Sequence, residues 1–225
     1  MVNRFMSVRV SLKGAETRKV ILDASEILFA QHGYHATSLR DIACEADVRL
    51  SLVHYHFGNK HDIFSAAMDR KIGDLLGAVA ASFDAADRDA AFRQLTIEET
   101  VAAFVLPFLS IAATPGHDLR HYVVMTSHLM SSYRMPELRP ILAKLSVVSN
   151  LFEKRIAMLM PGTNEADILA GIYLIEAALI FMVQDPGFLD DLSRDHHSTA
   201  SLREMSDPSI RFFAAGLERL ASKPR

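Results

Sequence analysis

Apolar residues recur along this chain at steps of three and four, the spacing of a helix buried along one side. No segment alternates apolar and polar residues between turn signals as a half-buried strand would, so the pattern predicts an all-α fold. The first helix is predicted over 16–31, with Val20, Ile21, Ala24, Ile27, Leu28 and Ala30 on one stripe, and Gly33 stands where a left-handed cap would end it. After the turn His35-Ala36-Thr37, Ser38 and Asp41 have the spacing of a capping box, opening a short second helix with Leu39, Ile42, Ala43 and Ala46 inward. Asp47-Val48 breaks the pattern, a third helix occupies 49–56, and Gly58 closes it. Asn59 with Asp62 makes the next N-cap signature, starting a long fourth helix in which Ile63, Phe64, Ala67, Met68, Ile72, Leu75, Leu76 and Val79 keep helical spacing.

Residues 84–93, rich in Ala and Asp, read as a frayed end or loop, and further helices are predicted over 97–113, 118–132, 137–160, 165–183 and 208–221. Proline and glycine punctuate them at Thr114-Pro115-Gly116, Met135-Pro136, Pro161-Gly162-Thr163 and Asp185-Pro186-Gly187. Pro107 and Pro140 mark a kink or a boundary, and 190–207, with the pair His196-His197, reads as a long polar loop. The organisation expected is a flexible arm over 1–15, a three-helix head over 16–65 and a larger helical domain over 66–225.

Composition narrows the classes. Half of the 225 residues are hydrophobic, enough for a bulky core. The first residues carry scattered basic side chains without an apolar block, so no secretory signal is read. The longest apolar run, 168–183, is interrupted by Glu176 and falls short of a bilayer span; a cytoplasmic protein without a membrane partner is expected. Cys44 is the only cysteine, which excludes an internal disulfide and a multi-cysteine zinc site, and it reads as a small buried apolar side chain. The formal net charge is −3. Up to residue 65 eight Lys and Arg face seven Asp and Glu, or +1, leaving −4 for the rest. Any affinity for nucleic acid therefore rests on a few placed cations rather than on a strong field.

Two short helices joined by a tight turn and crossed by a preceding helix are what a helix-turn-helix needs, because the second must enter a major groove about 12 Å wide while the first braces it. The run from Gly33 to Phe64, GYHATSLRDIACEADVRLSLVHYHFGNKHDIF, closely resembles the N-terminal domain of the tetracycline-repressor (TetR) family of bacterial regulators. Gly33, Tyr34, Thr37, Ser38, Ile42, Ala43, Val48, Ser51, Val53, Tyr55, His56, Phe57 and Lys60 carry the match, most specifically from Tyr55 to Lys60. The resemblance covers about 16–68 and implies DNA contacts from Ser38, Arg40, Arg49, Leu50, Ser51, His54, Tyr55, His56 and Lys60. Arg40 reads either as a bidentate phosphate or guanine contact or as a solvated helix charge. Arg49, Leu50 and Ser51 open the recognition helix, His54 and Tyr55 reach phosphate or thymine methyls, and Lys60 is placed to grip a phosphate at the start of the fourth helix. Arg49 stands where the family commonly has a Ser or Thr cap and His54 where it often has Tyr, so base preference does not carry over. Phe57 and Val53 read as packing residues. Arg4, Arg9 and Lys13 in the arm read either as minor-groove followers or as a solvated tail.

For the remainder, the resemblance implies a repressor released from its operator by a small-molecule effector, acting as a homodimer through helices 137–160 and 165–183. Ligand contacts are expected from Phe104, Phe108, Met125, His128, Leu129, Tyr133 and Tyr173, which combine apolar bulk with polar handles. His117 and His121, four apart, have a spacing that can hold a metal, but no third ligand is placed beside them, so no metal and no cofactor are expected. Two other readings stand. One is an all-α small-molecule-binding protein or enzyme whose helix-turn-helix is only scaffold, although no G-x-S-x-G, phosphate-loop, H-E-x-x-H or paired-cysteine motif is present; the other is an architectural protein without an effector.

Overall fold

A computed structural model describes residues 2–91, 93–131, 136–185, 188–194, 196, 202 and 204–222, with the backbone alone at 2–13, 131, 189 and 193. Among the described residues there are α-helices and no strand. The chain divides into two compact units within one helix: Met1–Lys71 and Ile72–Arg225. That division falls later than the 65/66 boundary read from the sequence.

The first unit holds α1 (Val2–Ala36), α2 (Leu39–Glu45), α3 (Leu50–Phe57) and the start of α4 (Lys60–Asp89). Helix begins at Val2, within the segment expected as an arm over 1–15, and no proline interrupts it. Gly33 leaves the helical region at φ 72°, a value that glycine adopts without a Cβ clash, so α1 kinks there. Ser38 caps α2 through both bonds of a capping box. The turn between α2 and α3 bends through Asp47 at φ 49°, a left-handed position that Asp tolerates better than most residues. Gly58 closes α3 at φ 74°, and the Asn59 carboxamide accepts the Asp62 N–H at 3.0 Å.

Ile21, Phe29, Ile42, Val53, Ile63, Phe64 and Ala67 are fully or almost fully buried and form this unit's core. Phe29 meets Phe64 edge-on at 4.9 Å, and Tyr34 meets Phe64 at 5.1 Å. A charged layer seals the pairing of α1 and α4: Glu26, 3% exposed, takes Lys71 Nζ at 2.7 Å and Arg70 Nε at 3.5 Å, while Arg70 also pairs with Asp23. Enclosing Glu26 is tolerable because two cations meet it.

The second unit comprises the end of α4, then α5 (Ile97–Ala113), α6 (Arg120–Ser131), a 3₁₀ turn at Pro136–Leu138, α7 (Arg139–Leu159), α8 (Glu165–Gln184), α9 (Phe188–Ser193) and α10 (Ser206–Ala221). α5 packs on α6, α7, α8 and α10, and α8 also meets α6, α7 and α10. Phe104 and Phe152 stack at 4.2 Å in its core, where Tyr122 is fully buried. α5 continues through Pro107, and Pro140 takes the first turn of α7, where its missing N–H costs nothing.

Three sequence expectations change here. The segment 84–93 is helical to Asp89, because Phe83 is buried, Arg155 stacks 4.4 Å over its ring and the same guanidinium clamps Asp87. Cys44 is exposed: Ile42 and Ala43 take the inward face of α2, and the cysteine falls on the outer one. By length and composition, α8 is apolar enough to cross a membrane, since its acids at 165 and 167 lie in the first turn and only Glu176 interrupts the rest. One face of α8, including Ile168, Ile172, Ile175, Leu179 and Val183, is nevertheless buried within the unit.

Candidate functional site

α3 is a short helix fixed on one side and bare on the other. Val53 and Phe57 anchor it, with Arg18 of α1 seated 4.8 Å over the Phe57 ring. Ser51, Leu52, His54 and Tyr55 are exposed, Tyr55 at 82%, so a whole helical face with an aromatic side chain on it meets solvent. Arg49 takes the N-cap position in extended conformation and makes no side-chain cap bond, which leaves its guanidinium exposed at the helix N-terminus. Amides and a cation at that end favour an anion. Leu50 is half-buried.

His54 Nδ1 lies 3.0 Å from the Gly58 carbonyl, a bond that requires the ring proton on Nδ1. His56 is half-buried near Gly14 of α1. On α2, Arg40 is exposed. The Ser38 hydroxyl is committed to the Asp41 N–H at 3.2 Å, and its hydroxyl and amide in turn hold the Asp41 carboxyl below the usual carboxylate range.

Lys60 departs from expectation. Its Nζ donates to the carbonyls of Tyr34 (2.8 Å), His35 (3.3 Å) and Thr37 (3.0 Å), and sits 4.5 Å over the Tyr34 ring. An ammonium has three protons, and three carbonyls take them; the side chain clamps the link between α1 and α2 instead of reaching outward. Partial burial draws its pKa down. Thr37, beneath the clamp, was read as a turn residue and as part of the family match. Its buried hydroxyl donates to the Gly33 carbonyl at 2.9 Å. Sequence gave no signal for either role, because the acceptors are backbone atoms.

The second unit contains a cavity of about 570 Å³ counting its open mouth, with room of about 80 Å³ for the centres of water-sized spheres. That exceeds the about 10–15 Å³ that one water requires. Phe104, Phe108, Leu145, Val148 and Leu179 are among its apolar walls, and Thr126, Ser127, Ser149 and Glu176 are its polar groups. Of the expected ligand contacts, Phe104 and Phe108 line it. Met125 and Leu129 are core residues, fully or almost fully buried away from it, and His128 does not line it. Tyr173 is 70% exposed on α8, roughly opposite the buried stripe, and Tyr133 lies outside the described residues. Glu176, which the sequence showed only as a break in an apolar run, was missed. Burial raises its pKa, as does nearby Glu153, while a bond from Ser149 opposes the shift.

His117 precedes α6 rather than lying on it, and its Nδ1 accepts the Leu119 N–H at 3.1 Å. The two histidines therefore do not share a helix face, and no group of three metal-ligating side chains occurs among the described residues.

The bare face of α3, braced by α2 and followed by an all-α unit with its own cavity, defines a helix-turn-helix DNA-binding regulator. Residues 21–67 match the family model of bacterial regulatory proteins of the tetR family, and residues 102–216 that of the tetracyclin repressor-like C-terminal domain. The chain belongs to the TetR family of transcriptional regulators. The HTH-type transcriptional repressor BepR of Brucella suis biovar 1 (strain 1330) is 27% identical over 186 residues, 81% of this chain and 83% of that protein. The HTH-type transcriptional regulator TtgR of Pseudomonas putida is 32% identical over 92 residues, 40% of this chain and 44% of its own. Among solved structures, a TetR-like regulator from Rhodococcus sp. RHA1 aligns with a TM-score of 0.60 at 15% identity, over 90% of this chain and 94% of that one. The fatty acid degradation regulator FadR from Bacillus halodurans aligns with a TM-score of 0.58 at 19% identity, over 88% and 98%. At such identities the likeness is one of fold.

Proposed function

We propose that this chain is a cytoplasmic homodimeric repressor that a small molecule, bound in the second unit, releases from its operator. The observation that carries the reading is the exposed face of α3. Tyr55, 82% exposed beside exposed Ser51, Leu52 and His54, gives α3 a face of hydrogen-bonding and aromatic side chains of the kind that reads a major groove. Arg49 and Arg40 supply the backbone contacts, and Ser51, His54 and Tyr55 face the base edges. Leu50 and His56, half-buried, set the helix in place, and Ser38 acts through the cap of α2.

Dimerisation is assigned to α7 and α8. Leu169, Tyr173 and Phe181 are exposed at steps of four or eight along α8, with Leu174 beside them and Val147 and Met158 exposed on α7. Apolar residues on a second helix face call for a partner, and a two-fold four-helix bundle would cover them.

The test is retention of the gene's own upstream DNA in a gel-shift series from 50 to 200 mM salt. Binding should weaken steeply with salt. Tyr55→Ala should lower affinity at least tenfold with an unchanged thermal midpoint, and Tyr173→Glu should convert a dimer into monomers by sedimentation. Failure to retain any upstream fragment, or a native protein that sediments as a monomer, overturns the corresponding half of the proposal.

A further inference from the structure

The described polar groups of the cavity are three hydroxyls and one carboxyl. The Thr126 hydroxyl donates to the Val123 carbonyl at 2.8 Å and the Ser127 hydroxyl to the Val124 carbonyl at 2.6 Å, so both protons are spent within α6. Ser149 lies beside Glu176, and its hydroxyl works against the rise in the carboxyl's pKa. Glu176 Oε1 is buried and has no hydrogen-bond partner. No lysine, arginine, histidine, asparagine, glutamine, tyrosine or tryptophan is among the described lining residues. Among its described residues the wall thus offers a carboxylate and no cation to pair with it, and Glu153 of α7 adds a second carboxylate to the local field. A carboxylate oxygen left unpaired in an apolar enclosure is costly, and a ligand that brings a positive donor removes that cost.

We propose that the occupant of this cavity is a lipophilic amine, an apolar body carrying one protonated nitrogen, held with that nitrogen against Glu176 while Phe104 and Phe108 cover the body. An anion meets two carboxylates and no cation among the described residues; a neutral alcohol satisfies Oε1 but gains no charge pairing. The inference rests on the reading of this cavity as the effector site, and the experiment separates the two.

The full chain is titrated by calorimetry with three compounds of matched shape: 4-phenylbutylamine, 4-phenylbutanol and 4-phenylbutyrate. At pH 8 the amine should bind at least tenfold more tightly than the alcohol, and the carboxylate should not bind. Glu176→Gln, which keeps shape and a hydrogen-bonding side chain, should abolish the amine's advantage and leave the alcohol unchanged. The amine's affinity should fall as the pH is lowered from 8 to 5 in the native chain and stay flat in Glu176→Gln. Among the described residues, Glu153 is the other ionisable group near Glu176; the polar lining groups of α6 are hydroxyls, and the lining residues of α4 and α5 are apolar. Equal binding of amine and alcohol, or tighter binding of the carboxylate, overturns the charge assignment and leaves the cavity a ligand site. No binding by any of the three at millimolar concentration overturns both.

Discussion

Lys60→Met separates a clamp from a phosphate contact. Methionine keeps the apolar stem but leaves the carbonyls of Tyr34, His35 and Thr37 without their donor. Bonds to charged groups contribute about 1.5–3 kcal/mol when buried. Partial exposure reduces the two shorter ones to about 1 kcal/mol each. The exposed third adds little, and the Tyr34 cation–π contact adds about 0.5 kcal/mol. A net loss of about 2 kcal/mol is expected, which lowers the melting temperature by about 4–8 °C in a chain of this length. Urea unfolding followed by circular dichroism measures it. The second readout is operator binding against salt. A residue that neutralises one phosphate contributes about 0.9 to the slope of log affinity against log salt. The clamp predicts an unchanged slope in the variant, measured well below its midpoint. An unaltered midpoint together with a slope shallower by about 0.9 would refute the clamp and restore the phosphate contact.

Further outcomes follow from other sites. Ser38→Ala removes a capping-box hydroxyl and should cost about 1 kcal/mol in urea unfolding. Gly171→Ala places a Cβ 2.6 Å from Leu217 Cδ2, so either the buried Leu217 side chain repacks or α8 and α10 move apart; a loss of about 1–2 kcal/mol is expected, and an unchanged midpoint would show that Leu217 rotates away. Arg93 holds the Glu99 carboxyl at about 2. A depressed folded-state pKa stabilises above the unfolded value, near 4.5, and that contribution is lost as pH falls toward 2. The pair is exposed, so the effect is small, but Glu99→Gln should flatten the decline of the urea midpoint between pH 5 and 2.5.

The head was legible because its signals are local. Ser38 with Asp41, Asn59 with Asp62, Gly33 and Gly58 each punctuate the backbone within four residues, and the structure uses all of them. What escaped were long-range pairings. Lys60 meets carbonyls 23 to 26 positions earlier, and Asp87 and Phe83 are held in helix by Arg155, 68 residues after the aspartate. The cavity was legible only for the phenylalanines of α5. Tyr173 and Glu176 are three apart on α8, yet one is exposed and the other lines the cavity. Periodicity gives a helix two apolar faces here without saying which looks inward.

Cys44 carries the only sulfhydryl in the chain, and it stands exposed one helical turn from Arg40 on the same face of α2. The unmodified sequence therefore contains a single-site chemical reporter. Its alkylation rate with and without operator reports whether DNA covers this face of α2, with no mutation needed, and in the proposed homodimer a spin label there would mark each head once, so that the distance between markers would read head separation as a ligand is added.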